Sequence, residues 1–292
     1  MATTTFNVGN ITIHRIVEQE GGFFDPLTFF PSLTPELLAE NKRWMTEGGY
    51  LDKDGNIVLC IQAYLVQTPH HNILVDSCVG NDKPRASRPF WDKLKLDTFQ
   101  KNLAATGVTM DKIDYVMCTH LHVDHVGWNT RLENGQWVPS FANAKYLFAE
   151  DELAYWVEQE KKDPANHGPI TDSVLPIIAA KKEQVVKSDF ELNDIVKLIP
   201  TPGHTIDHYS VQVGKPGADA VITGDMIHSP LQAKYPDLGM RADYNSPQAG
   251  KSRRELFSCL CETSTLVCTA HFPSPSSGHM KRDGNAFRFE QV

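Results

Sequence analysis

Within nine residues, Thr119-His120-Leu121-His122-Val123-Asp124-His125-Val126-Gly127, the chain carries three imidazoles and a carboxylate, interleaved with apolar residues and closed by a glycine. Burying that many polar groups without partners costs roughly 1 to 3 kcal/mol each, so something must satisfy them together. Imidazole nitrogen and carboxylate oxygen are the donors that zinc and its first-row neighbours take. A single histidine in such a run reads as structural, whereas four alternating ligand types read as a metal site. A tight turn after a strand can divide them between two adjacent ions.

Further ligand types follow at the ends of short apolar runs: His204 in Thr201-Pro202-Gly203-His204, Asp225 in Thr223-Gly224-Asp225 and His271 in Ala270-His271-Phe272-Pro273. Asp76 closes Ile73-Leu74-Val75 in the same way, where an acid reads as an ordinary strand-end turn residue. His208 and His228 lie near these positions in sequence and are candidates for supporting or pocket-lining roles rather than ligands.

The elements that must position these residues are mostly strands. Ile11 and Ile13 alternate with polar neighbours, and Ile57 to Val66 and Ile73 to Val75 flank the turn-like Pro69-His70-His71-Asn72. Tyr115 to Cys118 delivers the chain to His120, Ile195 to Ile199 leads to His204, Ala220 to Thr223 to Asp225, and Leu266 to Thr269 to His271. Helices are predicted between Asp97 as N-cap and Gly107 as stop, and from Ser246 as cap with Pro247 at the first helical position. Strands with intervening helices and ligands at strand ends indicate a layered α/β architecture, with helices covering a sheet sandwich. With no repeat or low-complexity segment, residues 1–292 are expected to form one domain. Residues 19–56 stand apart as an aromatic-rich N-terminal appendage, crowded with Phe23, Phe24, Phe29, Phe30 and Trp44 among Gly21-Gly22, Pro26, Pro31 and Pro35. Such a segment suits a helical appendage packed on its own domain, or else a homodimer arm or a wall of a substrate pocket.

The His-x-His-x-Asp-His run after a short strand, followed in order by His204, Asp225 and His271, resembles the metallo-β-lactamase superfamily. That resemblance implies the four-layer αβ/βα sandwich of the family. It also implies a two-metal centre in which His120, His122 and His204 hold one ion, Asp124, His125 and His271 the other, and Asp225 bridges them, with Asp76 bracing a histidine. Asp225 stands where many true β-lactamases place a cysteine, and His122 where the di-iron redox branch has Glu. The short stretch after His271 leads us to expect no helical domain of the glyoxalase II kind, and no insertion resembles the nuclease branches. What remains is similar to the group of quorum-quenching lactonases and methyl parathion hydrolase.

By resemblance, then, the chain is expected to be a hydrolase with two divalent ions, zinc by preference, that uses a bridging hydroxide to open a small apolar lactone or ester. Asp124 is the candidate to carry a proton to the leaving group. Trp128, with the phenylalanines above, is read as apolar pocket or as core. The alternatives are a phosphotriesterase-like hydrolase, a mononuclear iron oxygenase of the same fold, and a binding protein with a vestigial site. The last would be expected to lose ligands first, and none is missing.

Composition narrows the partners. The formal net charge is −8 with both signs mixed along the chain, which argues against nucleic acid and for a small-molecule substrate. No run reaches the ~20 apolar residues of a membrane span, and the start has no basic-then-apolar pattern, so a cytoplasmic, non-membrane protein is expected. The six cysteines sit largely in apolar runs and read as reduced thiols, while Cys259 and Cys261 lack a second pair of metal-site spacing.

Overall fold

A computed structural model describes residues 4–215 and 219–292. The chain divides into two compact units, one formed by residues 1–18 and 61–190, the other by 19–60 and 191–292. The first unit is built on strands β1 (Thr5–Val8), β2 (Ile11–Phe24), β3 (Ile57–Gln67), β4 (Asn72–Val75), β5 (Tyr115–Met117), a separate hairpin β6 (Thr130–Glu133) and β7 (Gln136–Pro139), then β8 (Lys145–Ala149) and β9 (Glu183–Val186). Its sheet has the order β1-β2-β3-β4-β5-β8-β9, and the boundary between the units falls inside β2 and β3. β3 is buried along nearly its whole length, which is why it reads as a continuous apolar run rather than an alternating one. The predicted hairpin over Pro69 to Asn72 joins β3 and β4 antiparallel, and β4, β5, β8 and β9 then run parallel.

The parallel pairing sets the first group of ligand types. Val75 is opposite Met117, so the residues just past β4 and β5, Asp76 and Thr119-His120, emerge at the same edge of the sheet. Asp76 turns there with φ 61°, and its N–H is held by the Met117 carbonyl.

The second unit carries β10 (Val196–Pro200), β11 (Tyr209–Val213), β12 (Ala220–Ile222), β13 (Leu266–Cys268), β14 (Ser277–Asp283) and β15 (Ala286–Gln291), paired in that order. β12 and β13 are parallel with Ile222 opposite Cys268, so Asp225 and His271 each lie three residues beyond matched positions. β10 is two antiparallel steps from β12 and runs in the same direction, which brings its exit, and His204 after it, to that edge too. Helices Pro35–Glu47 and Ser246–Leu260 belong to this unit.

Local expectations met three corrections. Gln19 to Phe24 are not helical but the last residues of β2, and only Pro26–Phe29 and Pro35–Glu47 of the aromatic segment are helices. The cap of the long C-terminal helix is Asn245, whose side chain accepts from Gln248 N, and Ser246 is the first helical residue; an Asx side chain one position earlier reaches the same amide. Asp97 sits at the N-cap of Thr98–Ala105 but makes no capping bond, its carboxylate pairing with Lys101 at 2.7 Å instead. Gly107 ends the turn after that helix at φ 83°.

Phe29 and Phe30 are fully buried with Leu33, Met45, Leu51 and Leu59, and Phe23 and Phe24 pack against the same cluster. The aromatic segment is therefore core-forming within its own unit.

Candidate metal centre

In the first unit the run after β5 is a short irregular loop, and its shape depends on a close approach between two backbones. Gly127 N–H donates to the Cys78 carbonyl, and a Cβ at Gly127 would stand 1.8 Å from the Val79 carbonyl oxygen, so only glycine fits there. The loop brings the rings of His120 and His122 to 4.6 Å and those of His120 and His125 to 4.1 Å between centroids. His120 and His125 are buried, while His122 and Asp124 are partly exposed.

Asp76 organises this group. It accepts from Thr119 N at 2.8 Å, from the Thr119 hydroxyl at 3.0 to 3.1 Å, and from His125 Nδ1 at 2.9 Å. Because a carboxylate only accepts, His125 must carry its proton on Nδ1. The Thr119 hydroxyl spends its hydrogen on Asp76 and accepts from His120 Nδ1 at 3.1 Å, which fixes the same tautomer there.

In the second unit the ligand types come from three separate loops, each with its own brace. His204 follows Gly203, where φ is 130° and a Cβ would stand 2.1 Å from Ala249 N, so this position too admits only glycine. His204 Nδ1 donates to Asp243 at 2.9 Å, and His271 Nδ1 donates to the Cys60 carbonyl at 2.9 Å. His208 is buried; its Nε2 accepts the backbone N–H of Asp225 at 2.9 Å while its Nδ1 bonds the Thr201 hydroxyl at 2.8 Å. Both ring nitrogens are occupied, so His208 supports Asp225 rather than acting as a ligand.

The two oxygens of Asp225 face different imidazoles. Oδ1 lies 2.8 Å from His271 Nε2, and Oδ2 lies 3.3 Å from His204 Nε2 and 3.1 Å from His228 Nε2. Asp225, His228 and His271 each bring one ligand-type atom within 4.8 Å of the others. Burial works against a charged imidazole at both His204 and His228. At His204, hydrogen bonds to Asp225 and Asp243 and their charges outweigh burial and raise its pKa to about 9, whereas at His228 burial prevails and lowers it to about 4. The positive charge that Asp225 and Asp243 attract to His204 as a proton is one a metal ion can supply in its place.

The donor set fits divalent metal ions. Four histidines, two in each unit, are protonated on Nδ1 by a partner that can only accept or has no hydrogen left to give, which leaves each Nε2 lone pair for a ligand role. The spacings around Asp225 are those of neighbouring donors on one ion, since two atoms about 2.0 to 2.2 Å from a zinc lie roughly 2.8 to 3.6 Å apart.

Trp128 is buried at 3% exposure, stacks on Phe99 with 5.1 Å between centroids, and donates its indole N–H to Glu18 at 2.6 Å, the contacts of a core residue. Phe29 lies edge-on to His228 at 5.6 Å. Three acids that no motif singled out serve these loops. Glu18, fully buried, also accepts from Val79 N and Gly80 N, and burial raises its pKa to about 7 against those hydrogen bonds. Asp243 holds His204 and takes Met240 N. Glu152 takes Leu121 N between two of the motif histidines. A charged residue inside the apolar Ile16-Val17-Glu18 stretch is the one visible signal among them.

Residues 60–271 match the metallo-beta-lactamase superfamily, and the chain belongs to it. Among curated proteins it is 30% identical over 136 residues to a metallo-beta-lactamase fold-containing protein of Sulfurisphaera tokodaii, covering 44% of this chain and 51% of that one. It is 27% identical over 172 residues to an N-acyl homoserine lactonase of Bacillus cereus, covering 54% and 60%. The matched stretches span about half to three fifths of these relatives. Two solved structures superpose along the chain: a hydrolase, AbOPH, of the beta-lactamase superfamily, with TM-score 0.81, 22% identity and coverage of 100% and 97%, and AidC, a dizinc quorum-quenching lactonase in complex with a homoserine product, with TM-score 0.81, 20% identity and the same coverage. The fold is the metallo-β-lactamase fold.

Proposed function

We propose that the chain is a metal-dependent hydrolase that holds two divalent ions, zinc by preference, and opens a small, fairly apolar lactone or ester. His120, His122 and His204 are the ligands of one ion, Asp124, His125 and His271 those of the other, and Asp225 is shared. The observation that carries this reading is the split carboxylate of Asp225, with Oδ1 on the His271 side and Oδ2 on the His204 side, each imidazole held by its Nδ1 so that Nε2 faces the acid. Superfamily membership and the likeness to lactonases of known chemistry support it.

Bound divalent ions would lower the pKa of a shared water toward neutrality and polarise the substrate carbonyl. The protein's own contribution is order. Asp76 and Asp243 keep imidazole rings from turning, and His208 pins the backbone of Asp225, while the partly exposed Asp124, with 12% of its side chain accessible, is our candidate to pass a proton to the departing alkoxide oxygen. No serine or cysteine nucleophile is needed. Among the described residues no helix is long and apolar enough to cross a membrane.

The test is elemental analysis of protein purified without chelator, together with kcat/KM on acyl-homoserine lactones, aryl esters, a phosphotriester and a cephalosporin. About two metal ions per chain and best turnover on a lactone or ester are expected. One ion per chain with iron predominating would replace this reading by an oxygenase, and preference for the phosphotriester would move the substrate while keeping the centre.

A further inference from the structure

The geometry points to Glu152 as a positioning residue for His120 and His122, acting through the Leu121 backbone and through Trp156; this rests on the reading of those histidines as metal ligands. Glu152 stands in the first turn of helix Glu150–Lys162, where the helix dipole favours a carboxylate, yet it is 1% exposed and so is not there for solubility. Its Oε1 accepts two N–H groups: the backbone amide of Leu121 at 3.1 Å and the indole Nε1 of Trp156, four residues on, at 2.7 Å.

Each bond bears on a ligand. Leu121 N belongs to the peptide that joins His120 to Leu121, so holding it fixes the plane that follows His120, one residue before His122. A buried amide at that point without an acceptor is costly, and the loop would re-form around another partner. The second bond orients Trp156, whose ring meets that of His122 at 5.5 Å and 72°, an edge-to-face contact that limits rotation of the imidazole. One carboxylate thus holds the loop at the His120–Leu121 peptide and, through Trp156, at the His122 ring, without being a ligand itself. Asp76 plays no part in either bond, so Glu152 is a second, independent support of the same loop.

The experiment uses the full chain loaded with Co(II), whose visible bands report coordination geometry, in wild type, Glu152→Ala, Glu152→Gln, Trp156→Leu and His122→Ala, with melting temperature measured alongside. Glu152→Ala is expected to weaken binding of one of the two ions by roughly 10- to 100-fold and shift the bands. Glu152→Gln, which keeps an acceptor oxygen, should restore most of the affinity. Trp156→Leu, which keeps the Leu121 bond, should weaken the same ion by a few-fold and shift the same bands. A Glu152→Ala protein that melts lower but binds Co(II) with wild-type affinity and spectrum would reduce Glu152 to a structural residue and overturn the inference. If Glu152→Ala does not fold, wild-type affinity and spectrum in Trp156→Leu overturn it. His122→Ala separates the two levels: full retention of both ions there refutes the ligand assignment itself, whereas loss of one ion there, with none in the Glu152 and Trp156 variants, refutes only the positioning role.

Discussion

The two groups of candidate ligands reach comparable order by opposite routes. In the first unit four of them lie between His120 and His125 on one loop, and one carboxylate, Asp76, reaches the loop amide, a hydroxyl and an imidazole together. In the second unit His204, Asp225 and His271 are separated by 21 and 46 residues and brought to one sheet edge only by the pairing of β10 through β13. There each is braced singly, by Asp243, His208 and the Cys60 carbonyl. A compact loop shares its supports, so damage to one spreads; a dispersed set has private supports, so damage stays local.

The largest effect should come from the residue that the dispersed set has in common. Asp225→Ala removes both oxygens that face His271 and His204 and is expected to lower kcat/KM by about a thousandfold or more, roughly 4 kcal/mol, with loss of bound metal. Wild-type metal content and turnover in this variant would break the comparison at its root.

Next is a pH effect confined to the first unit. Glu18 has a folded pKa of about 7 against an unfolded value of 4.5, so the folded state holds the proton more tightly. Stability is then greatest below about pH 4.5 as far as this group is concerned, and falls as pH rises to about 7, by about 3 kcal/mol in the limit. Glu18→Gln should flatten that slope in metal-stripped protein. Denaturant melts at pH 5 and pH 7.5 check this; equal slopes in wild type and variant would show that the carboxylate is already ionised in the fold.

The shared and private supports can be compared directly. Asp76→Ala should weaken metal binding by roughly 10- to 100-fold and lower the melting temperature, because it also strands Thr119 N. Asp243→Ala also strands an amide, that of Met240, but loses fewer bonds and braces one ring, so its loss of metal affinity should stay near the lower end of that range and its fall in melting temperature should be smaller. Equal losses in both properties would mean that the loop and the dispersed set are not differently built.

This contrast also explains what can be read in the chain. The loop ligands announce themselves because they are adjacent, and the strands ahead of them, β4 and β5, are plain from their apolar runs. Asp76 is legible as a strand-end acid, and His208 as a supporting histidine. Glu152 is not, because Glu150-Asp151-Glu152 looks like any acidic helix start, and burial of only the third depends on what packs over it. Asp243 sits in a loop with no pattern at all, 39 residues from the ring it holds. Glu18 and Trp128 find each other across 110 residues, a pairing no local signal carries. The aromatic segment reads as helical at Gln19 to Phe24 because its glycines and prolines hide the continuation of β2.

The smallest effect should come from His228, which touches the dispersed set from the side. Its Nε2 donates to Asp225 Oδ2 at 3.1 Å, its ring stacks on His271 at 5.4 Å and 12°, and Phe29 meets its edge. Asp225 keeps its backbone bond to His208 and its contacts with His271 and His204 without it, so His228→Ala should leave metal content unchanged. Its Nδ1 is buried with no hydrogen-bond partner among the described residues and, with the ring proton on Nε2, is an acceptor that a substrate group can use. We therefore expect a loss of roughly 3- to 10-fold in kcat/KM that differs between lactone and aryl ester, changing their ratio. Kinetics on the two substrates, with metal analysis of the same samples, decides the matter. A loss of one ion in His228→Ala would make this histidine a ligand, and a uniform loss on both substrates would leave it a brace of Asp225 alone.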